Sequence, residues 1–246
     1  MPPRPARFFV AGVYATGDVV ELSGEDARKL TLVLRRGQGD VLEIVDSSGR
    51  AYAGRLELSG ARAQALLERE LEVVRGPVLR ITLAQGIPKG QKMELVVEKA
   101  TELGVAAVQP FASERSVVEG PREGKLERWR RVARSAAQQC GRADVPDVAL
   151  PLEFADLVER VASFDLVLVP WELAEPVPLR ERLPDLLAGV TRVLVVIGPE
   201  GGLSHDEAHR LESAGAHLVS LGSRILRTET AGLVTCSALF YENGDI

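Results

Sequence analysis

From Val78 onward, strand-length apolar runs alternate with longer stretches of helical periodicity, and this alternation restricts the fold more than any other feature of the chain. The runs are VLRITLAQ, VAAVQPF, FDLVLVPWE, RVLVVIGPE and HLVSLG. Between them lie KMELVVEKATELG and a segment from about Lys125 to Cys140, both with apolar residues at helical spacing. Alternation of this kind predicts a mostly parallel sheet with helices on both faces. Ligands of such α/β sheets sit outside the carboxyl ends of the strands, so the loops after those runs are where chemistry is sought.

The first 72 residues read differently. RFFVA, VVEL, VLEIV and AYAGRLEL are short strand candidates separated by Gly, Asp and Ser turns, with one helix-like piece, EDARKLTLVLR. The stretch from Arg62 to Glu72 carries helix-favouring Ala, Leu and Glu but follows two strands, and it is assigned as a strand. The expected organisation is a small β-rich domain over residues 1–72 and an α/β domain over 73–246, with Gly76-Pro77 as the linker. A hydrophobic share of 46% over 246 residues is enough for a core in each.

Cys140 and Cys236 match no zinc or redox spacing and are expected to be buried thiols. No signal-peptide core or membrane-length apolar stretch is present, which points to a cytoplasmic protein. A net charge of −5 argues against indiscriminate coating of nucleic acid. Between Arg122 and Arg142, however, Arg122, Lys125, Arg128, Arg130, Arg131, Arg134 and Arg142 face only Glu123 and Glu127, a local charge of about +5. Such a run either meets phosphates or forms a solvated helix face laced with ion pairs.

Two loops stand out. RVLVVI runs into GPEGGLSHDEAHR, where Gly198, Gly201 and Gly202 let the backbone turn tightly against a ligand. Ser204 and Glu207 have the spacing of a capping box, so a helix begins there and aims its amides at the loop mouth. The loop lacks GxGxxG spacing, and GIPKGQK at 86–92 fails the phosphate-loop pattern, which disfavours an ordinary NAD or ATP site. His205 and His209 are four apart, but Asp206 stands where a zincin has glutamate, so a metal-free helix is expected. In the second loop, SRILRTETAGLV, Thr228 and Thr230 are candidate caps and Glu229 suits a helix N-terminus. Arg224 and Arg227 flank Ile225 and Leu226 there, as in a pocket with apolar walls and a charged rim.

IGPEGGLS at 197–204, LGSRILRTETA at 221–231, EKATELGV at 98–105 with QPF after it, and QQCGRADVP at 138–146 together resemble the RsmE family. These are SPOUT-superfamily enzymes that methylate N3 of a uridine in 16S ribosomal RNA. The resemblance runs in order along nearly the whole chain and implies a PUA-like N-terminal β-barrel domain, a C-terminal trefoil knot and a homodimer. It further implies that S-adenosylmethionine contacts Trp171 and Glu172, then Gly198, Pro199, Gly201 and Gly202, then Leu221, Gly222, Ile225, Leu226, Arg227 and Thr230. Uridine N3 lies on the Watson–Crick edge, so the base must be unpaired or turned out before methylation. Arg227 is the expected stabiliser of the deprotonated uracil, with Glu229 as second choice for proton acceptor. Arg7, Lys29, Arg35, Arg36, Arg128, Arg131 and Arg142 are the expected phosphate contacts on 16S ribosomal RNA or the small ribosomal subunit. Two rival readings remain: a non-catalytic RNA-binding or ribosome-assembly protein, and a SPOUT enzyme acting on another RNA position or a ribose 2′-hydroxyl.

Overall fold

The computed structural model describes residues 5–60, 62–73, 76–116, 123–173 and 179–246. The chain divides into two compact units: Met1–Gly76 with Ala137–Asp144, and Pro77–Ala136 with Val145–Ile246.

In the first unit, β1 (Ala6–Phe9), β2 (Val19–Glu21), β3 (Val41–Val45), β4 (Ala51–Ser59) and β5 (Arg62–Leu71) form one sheet in the order β1-β3-β4-β5-β2. β1 and β3 are parallel and the other pairs antiparallel. Among the described residues no ladder joins β1 to β2. The ambiguous stretch is strand β5 because Ala63, Ala65 and Leu67 alternate into the core against β4, a period-2 burial that outweighs its helical composition. EDARKLTLVLR is helical through Val33, though not as one regular α-helix. Ser23 caps α1 (Gly24–Arg28), and the chain then widens into a π-turn over Lys29–Val33, which buries Leu30 and leaves Leu32 and Val33 exposed.

Asp46 sits in the hairpin turn between β3 and β4. Its carboxylate accepts from the Tyr14, Ser48 and Arg50 amides and the Ser48 hydroxyl. Burial opposes its ionisation, but these hydrogen bonds outweigh that and hold its pKa below the ordinary value.

The second unit contains β6 (Arg80–Gly86), α2 (Lys92–Leu103), β7 (Ala107–Ala112) and the start of α3 (Glu123–Cys140). It continues through β8 (Asp147–Val148), β9 (Leu152–Glu153), α4 (Phe154–Arg160), β10 (Leu166–Pro170) and α5 (Leu179–Leu186). β11 (Arg192–Ile197), α6 (His205–Ser213), β12 (His217–Val219) and α7 (Thr228–Glu242) complete it. The strand order is β12-β10-β11-β6-β7-β8, with β9 also on β7, and every pairing is parallel.

Successive strand residues are buried on opposite faces, which is why these runs are continuously apolar. Ile81, Leu83, Val193, Val195 and Ile197 pack with α2, α3, α5 and α7. Ala84, Val167, Val169, Leu194 and Val196 pack with α4 and α6. α7 lies tight on the sheet: a Cβ on Gly232 would come within 3.1 Å of Leu83 Cδ1. Cys236 on that helix is fully buried, which pushes its thiol pKa up to about 12, whereas Cys140 is only half-buried and corrects the expectation of two buried thiols. No helix among the described residues is long and apolar enough to cross a membrane.

Candidate functional site

At the carboxyl ends of β10, β11 and β12 the chain forms one cavity of about 910 Å³. Its first wall follows β10 and includes Trp171 and Glu172. Gly198, Pro199, Glu200, Gly202 and Leu203 form the second. The third is the span from Ser220 to Glu229, which contains the predicted Leu221, Gly222, Ile225, Leu226 and Arg227. Lys92, from the start of α2, closes the remaining side.

The glycine loop is shaped by contacts that admit no side chain. A Cβ on Gly198 would lie 2.8 Å from the Gly202 carbonyl carbon and the Leu203 nitrogen. Gly202 has φ +69° and donates its amide to the Pro199 carbonyl at 2.9 Å, closing a tight turn. Ser204 and Glu207 form the expected capping box, and the second oxygen of Glu207 accepts from the Glu114 amide. That box consumes amides expected to face a ligand, and α6 contributes nothing to the cavity wall. His205 packs edge-on against Trp171 with ring centroids 5.1 Å apart. Among the described residues no group of three or more His, Cys, Asp or Glu is arranged to hold a metal.

Gly201 and Thr230 are not among the cavity-lining residues. Gly201 instead gives its carbonyl to Arg115 at 2.9 Å, and Thr230 is an exposed first-turn residue of α7. Neither threonine side chain caps that helix, because the N-cap position is Arg227 and carries no side-chain cap bond. The Thr228 hydroxyl is used elsewhere: it donates to the Gly198 carbonyl at 2.6 Å and accepts from Gln85 Nε2 at 2.8 Å. The second and third walls are thereby tied to each other and to β6.

Charge is concentrated on one side. Lys92 Nζ lies 2.9 Å from Glu200 Oε1 and 3.6 Å from Glu229 Oε2. The hydrogen bond it donates to Glu200 raises the Lys92 pKa, so it is a fixed cation near neutrality. Arg227 is 82% exposed on the rim, 3.9 Å from Glu229 Oε1, and Ile225 beside it is also exposed. Lys92, Glu200 and the Thr228–Gln85 link were missed by reading the sequence. Lys92 sits in GIPKGQK, a motif rejected only as a phosphate loop, and Glu200 sits inside the glycine motif itself.

The expected RNA-contacting cations are not equally available. Arg7 donates to Glu43 Oε2 at 2.8 Å and to the Gly141 and Arg142 carbonyls, leaving its side chain 17% exposed. Arg142 is paired with Asp144 at 2.8 Å. Lys29 donates to Gln138 Oε1 and Arg128 pairs with Glu94 at 2.8 Å. Arg36 stands 4.0 Å from Asp40, and Arg35, in the left-handed region at φ +51°, is exposed, as is Arg131. Arg122 lies outside the described residues. On α3, Arg128 and Arg130 are ion-paired with Glu94 and Glu127, while Lys125 and Arg131 are exposed.

A cavity of this size suits a nucleoside-sized ligand. Glycines and apolar side chains make up much of its lining, joined by three acids, Glu172, Glu200 and Glu229, and three cations, Lys92, Arg224 and Arg227. Comparison with known proteins agrees. A family model described as an RNA methyltransferase domain matches residues 75–240. The ribosomal RNA small subunit methyltransferase E of Bacillus subtilis is 33% identical over 90% of this chain and 89% of its own length. That of Mycobacterium bovis is 37% identical over 94% and 90%. The crystal structure of the Neisseria gonorrhoeae ribosomal RNA small subunit methyltransferase E bound to S-adenosyl methionine superposes with a TM-score of 0.87 at 31% identity, covering 97% of this chain and 98% of that one. A putative methyltransferase from Legionella pneumophila, also with bound cofactor, gives 0.88 at 32% identity over 97% and 98%.

Proposed function

This chain belongs to the ribosomal RNA small subunit methyltransferase E (RsmE) family, and from that premise we propose that it methylates N3 of a specific uridine in 16S ribosomal RNA. The observation that carries the choice of a ring nitrogen is Glu229, a mostly buried carboxylate on the wall of the donor cavity whose Oε2 has no hydrogen-bond partner. An imide nitrogen must shed a proton as it is methylated, and a fixed acceptor at that wall serves this need.

S-adenosylmethionine, when bound, supplies an electrophilic methyl group on a sulfonium centre. Trp171, Gly198, Pro199, Gly202, Leu221 and Leu226, which line the cavity, would hold it and fix its orientation toward the substrate. Glu229 takes the N3 proton. Arg227, exposed on the rim beside Glu229, faces the developing uracil anion.

The same reading takes the first unit as a PUA-like RNA-binding domain and the stretch from β11 to α7 as threaded into a trefoil knot. It also takes the working enzyme as a cytoplasmic homodimer. Val234 and Tyr241, exposed on the otherwise apolar α7, support a second copy as the neighbour of that helix. Lys29, Arg35, Arg36, Arg128 and Arg131 are proposed phosphate contacts. For Arg7 and Arg142 the internal bonds favour a structural role.

The test is mass spectrometry of nucleosides from 16S ribosomal RNA of cells lacking the protein, before and after treatment of their small subunits with purified enzyme and methyl donor. Restored 3-methyluridine is the expected result. A 2′-O-methyl product, or no product from an enzyme that binds donor, rejects the assignment.

A further inference from the structure

The cation of the cavity is held off-centre. Glu200 is anchored on two sides: its carboxylate accepts the Lys89 amide at 3.1 Å and the Lys92 ammonium at 2.9 Å. Lys92 donates to Glu200 Oε1, and Glu229 Oε2, 3.6 Å from the same ammonium, lies just outside hydrogen-bond distance while still feeling its charge. That oxygen is buried and otherwise unpartnered, while the Glu229 side chain as a whole is only 12% exposed. An isolated buried carboxylate is costly unless a nearby cation compensates it. A cation in full hydrogen-bonded contact would occupy the lone pair that a substrate proton needs. The observed arrangement avoids both outcomes.

Resting on the methyl-transfer reading above, we propose that Lys92 is a positioning residue, locked by Glu200 so that it keeps Glu229 Oε2 in place as an open acceptor for an N–H of the incoming base. Glu229 touches the substrate in this scheme, and Lys92 acts only through it. The other charged groups about Glu229 fit that division. Arg227 approaches the opposite oxygen, Oε1, from the rim, while Glu172 and Arg224 line other parts of the cavity.

The test compares Lys92→Met, Lys92→Arg, Glu200→Gln and Glu229→Gln in the full-length enzyme, with unmethylated small ribosomal subunits and S-adenosylmethionine as substrates. Donor affinity is read from Trp171 fluorescence, and melting temperature checks folding. Lys92→Met should lower kcat by roughly tenfold to a hundredfold, below the roughly 10²–10⁴ that a proton-transfer group contributes, with the donor Kd nearly unchanged. Lys92→Arg should recover most of the loss, and Glu200→Gln, which unlocks the lysine, should fall between. A merely structural lysine would instead move melting temperature and donor affinity along with kcat. If Glu229→Gln is inactive while Lys92→Met turns over normally, or loses only donor affinity, the positioning role is overturned. If Glu229→Gln itself retains full kcat, the proton-acceptor reading fails first, and the two failures are told apart.

Discussion

Replacing Thr228 with valine removes one oxygen and little volume, yet that oxygen joins three segments around the cavity. Its hydroxyl donates to the Gly198 carbonyl at 2.6 Å and accepts from Gln85 Nε2 at 2.8 Å, at a position that is almost fully buried. Gln85 Nε2 keeps a second bond to the Gly86 carbonyl at 3.1 Å, so the larger penalty falls on the Gly198 carbonyl, which is left buried without its donor. An orphaned buried acceptor costs about 1–3 kcal/mol, and the weakened amide adds a fraction of that, so Thr228→Val should cost about 2–3 kcal/mol. At roughly 2–4 °C per kcal/mol for a chain of this size, the melting temperature should fall by about 4–12 °C. The same cut releases the glycine loop from the start of α7, so donor binding should weaken by roughly tenfold, equivalent to about 1.4 kcal/mol. Thr228→Ser keeps the hydroxyl and loses one methyl, at about 1 kcal/mol, with donor affinity retained. Differential scanning fluorimetry gives the first quantity and Trp171 fluorescence titration the second. A valine variant that melts within about a degree of wild type and binds donor equally well would refute the claim that this hydroxyl couples the two walls.

Gly202→Ala should lower folding stability by about 1–2 kcal/mol from its φ of +69°, and no more, because the Glu172 carboxylate that a Cβ would meet at 2.6 Å is a chain end able to move aside; denaturant unfolding checks this. Asp46 has a lowered pKa in the folded protein, so the stability it contributes is fully present above its unfolded-state pKa of about 3.9 and is lost as pH falls through the lower folded value. Asp46→Asn should accordingly flatten the acid limb of stability against pH below about 4, read by denaturant unfolding, and an unchanged limb would remove Asp46 from that account. Arg7→Met should destabilise the first unit by about 2 kcal/mol through loss of its bonds to Glu43, Gly141 and Arg142, and leave the salt slope of RNA binding unchanged. Arg131→Gln should do the reverse, reducing that slope by about 1 with little change in melting temperature.

Periodicity was a good guide wherever burial on both sides of an element leaves a one-dimensional trace. The five apolar runs after Val78 are β6, β7, β10, β11 and β12, because a strand covered by helices on both faces has no polar side to show. β8 and β9 left no such trace, since two residues give no period. The π-turn at Lys29–Val33 escaped for a different reason. Its sequence, KLTLV, continues a helical apolar pattern, and only the backbone hydrogen bonds show that Leu32 and Val33 turn outward. The charge run on α3 was visible, but the distant partners of two of its arginines were not, because Glu94 and the Val148 carbonyl reach Arg128 and Arg130 from other elements.

The same distinction governs the site. Gly198 and Gly202 announced themselves because a tight turn demands a residue type, and the loop composition carries that demand openly. Thr228 and Lys92 did not, because nothing local requires them: one is an ordinary first-turn residue and the other an ordinary helix-start lysine. Their significance comes from partners at Gly198, Gln85, Glu200 and Glu229, up to 143 residues away in the case of Gln85 and Thr228. Local sequence therefore reports where the backbone must bend around a ligand, while long-range contacts decide which polar atoms face it satisfied and which face it open. In this cavity the open one is Glu229 Oε2, 3.6 Å from the Lys92 ammonium, and in the proposed reaction that oxygen is the acceptor of the substrate's proton.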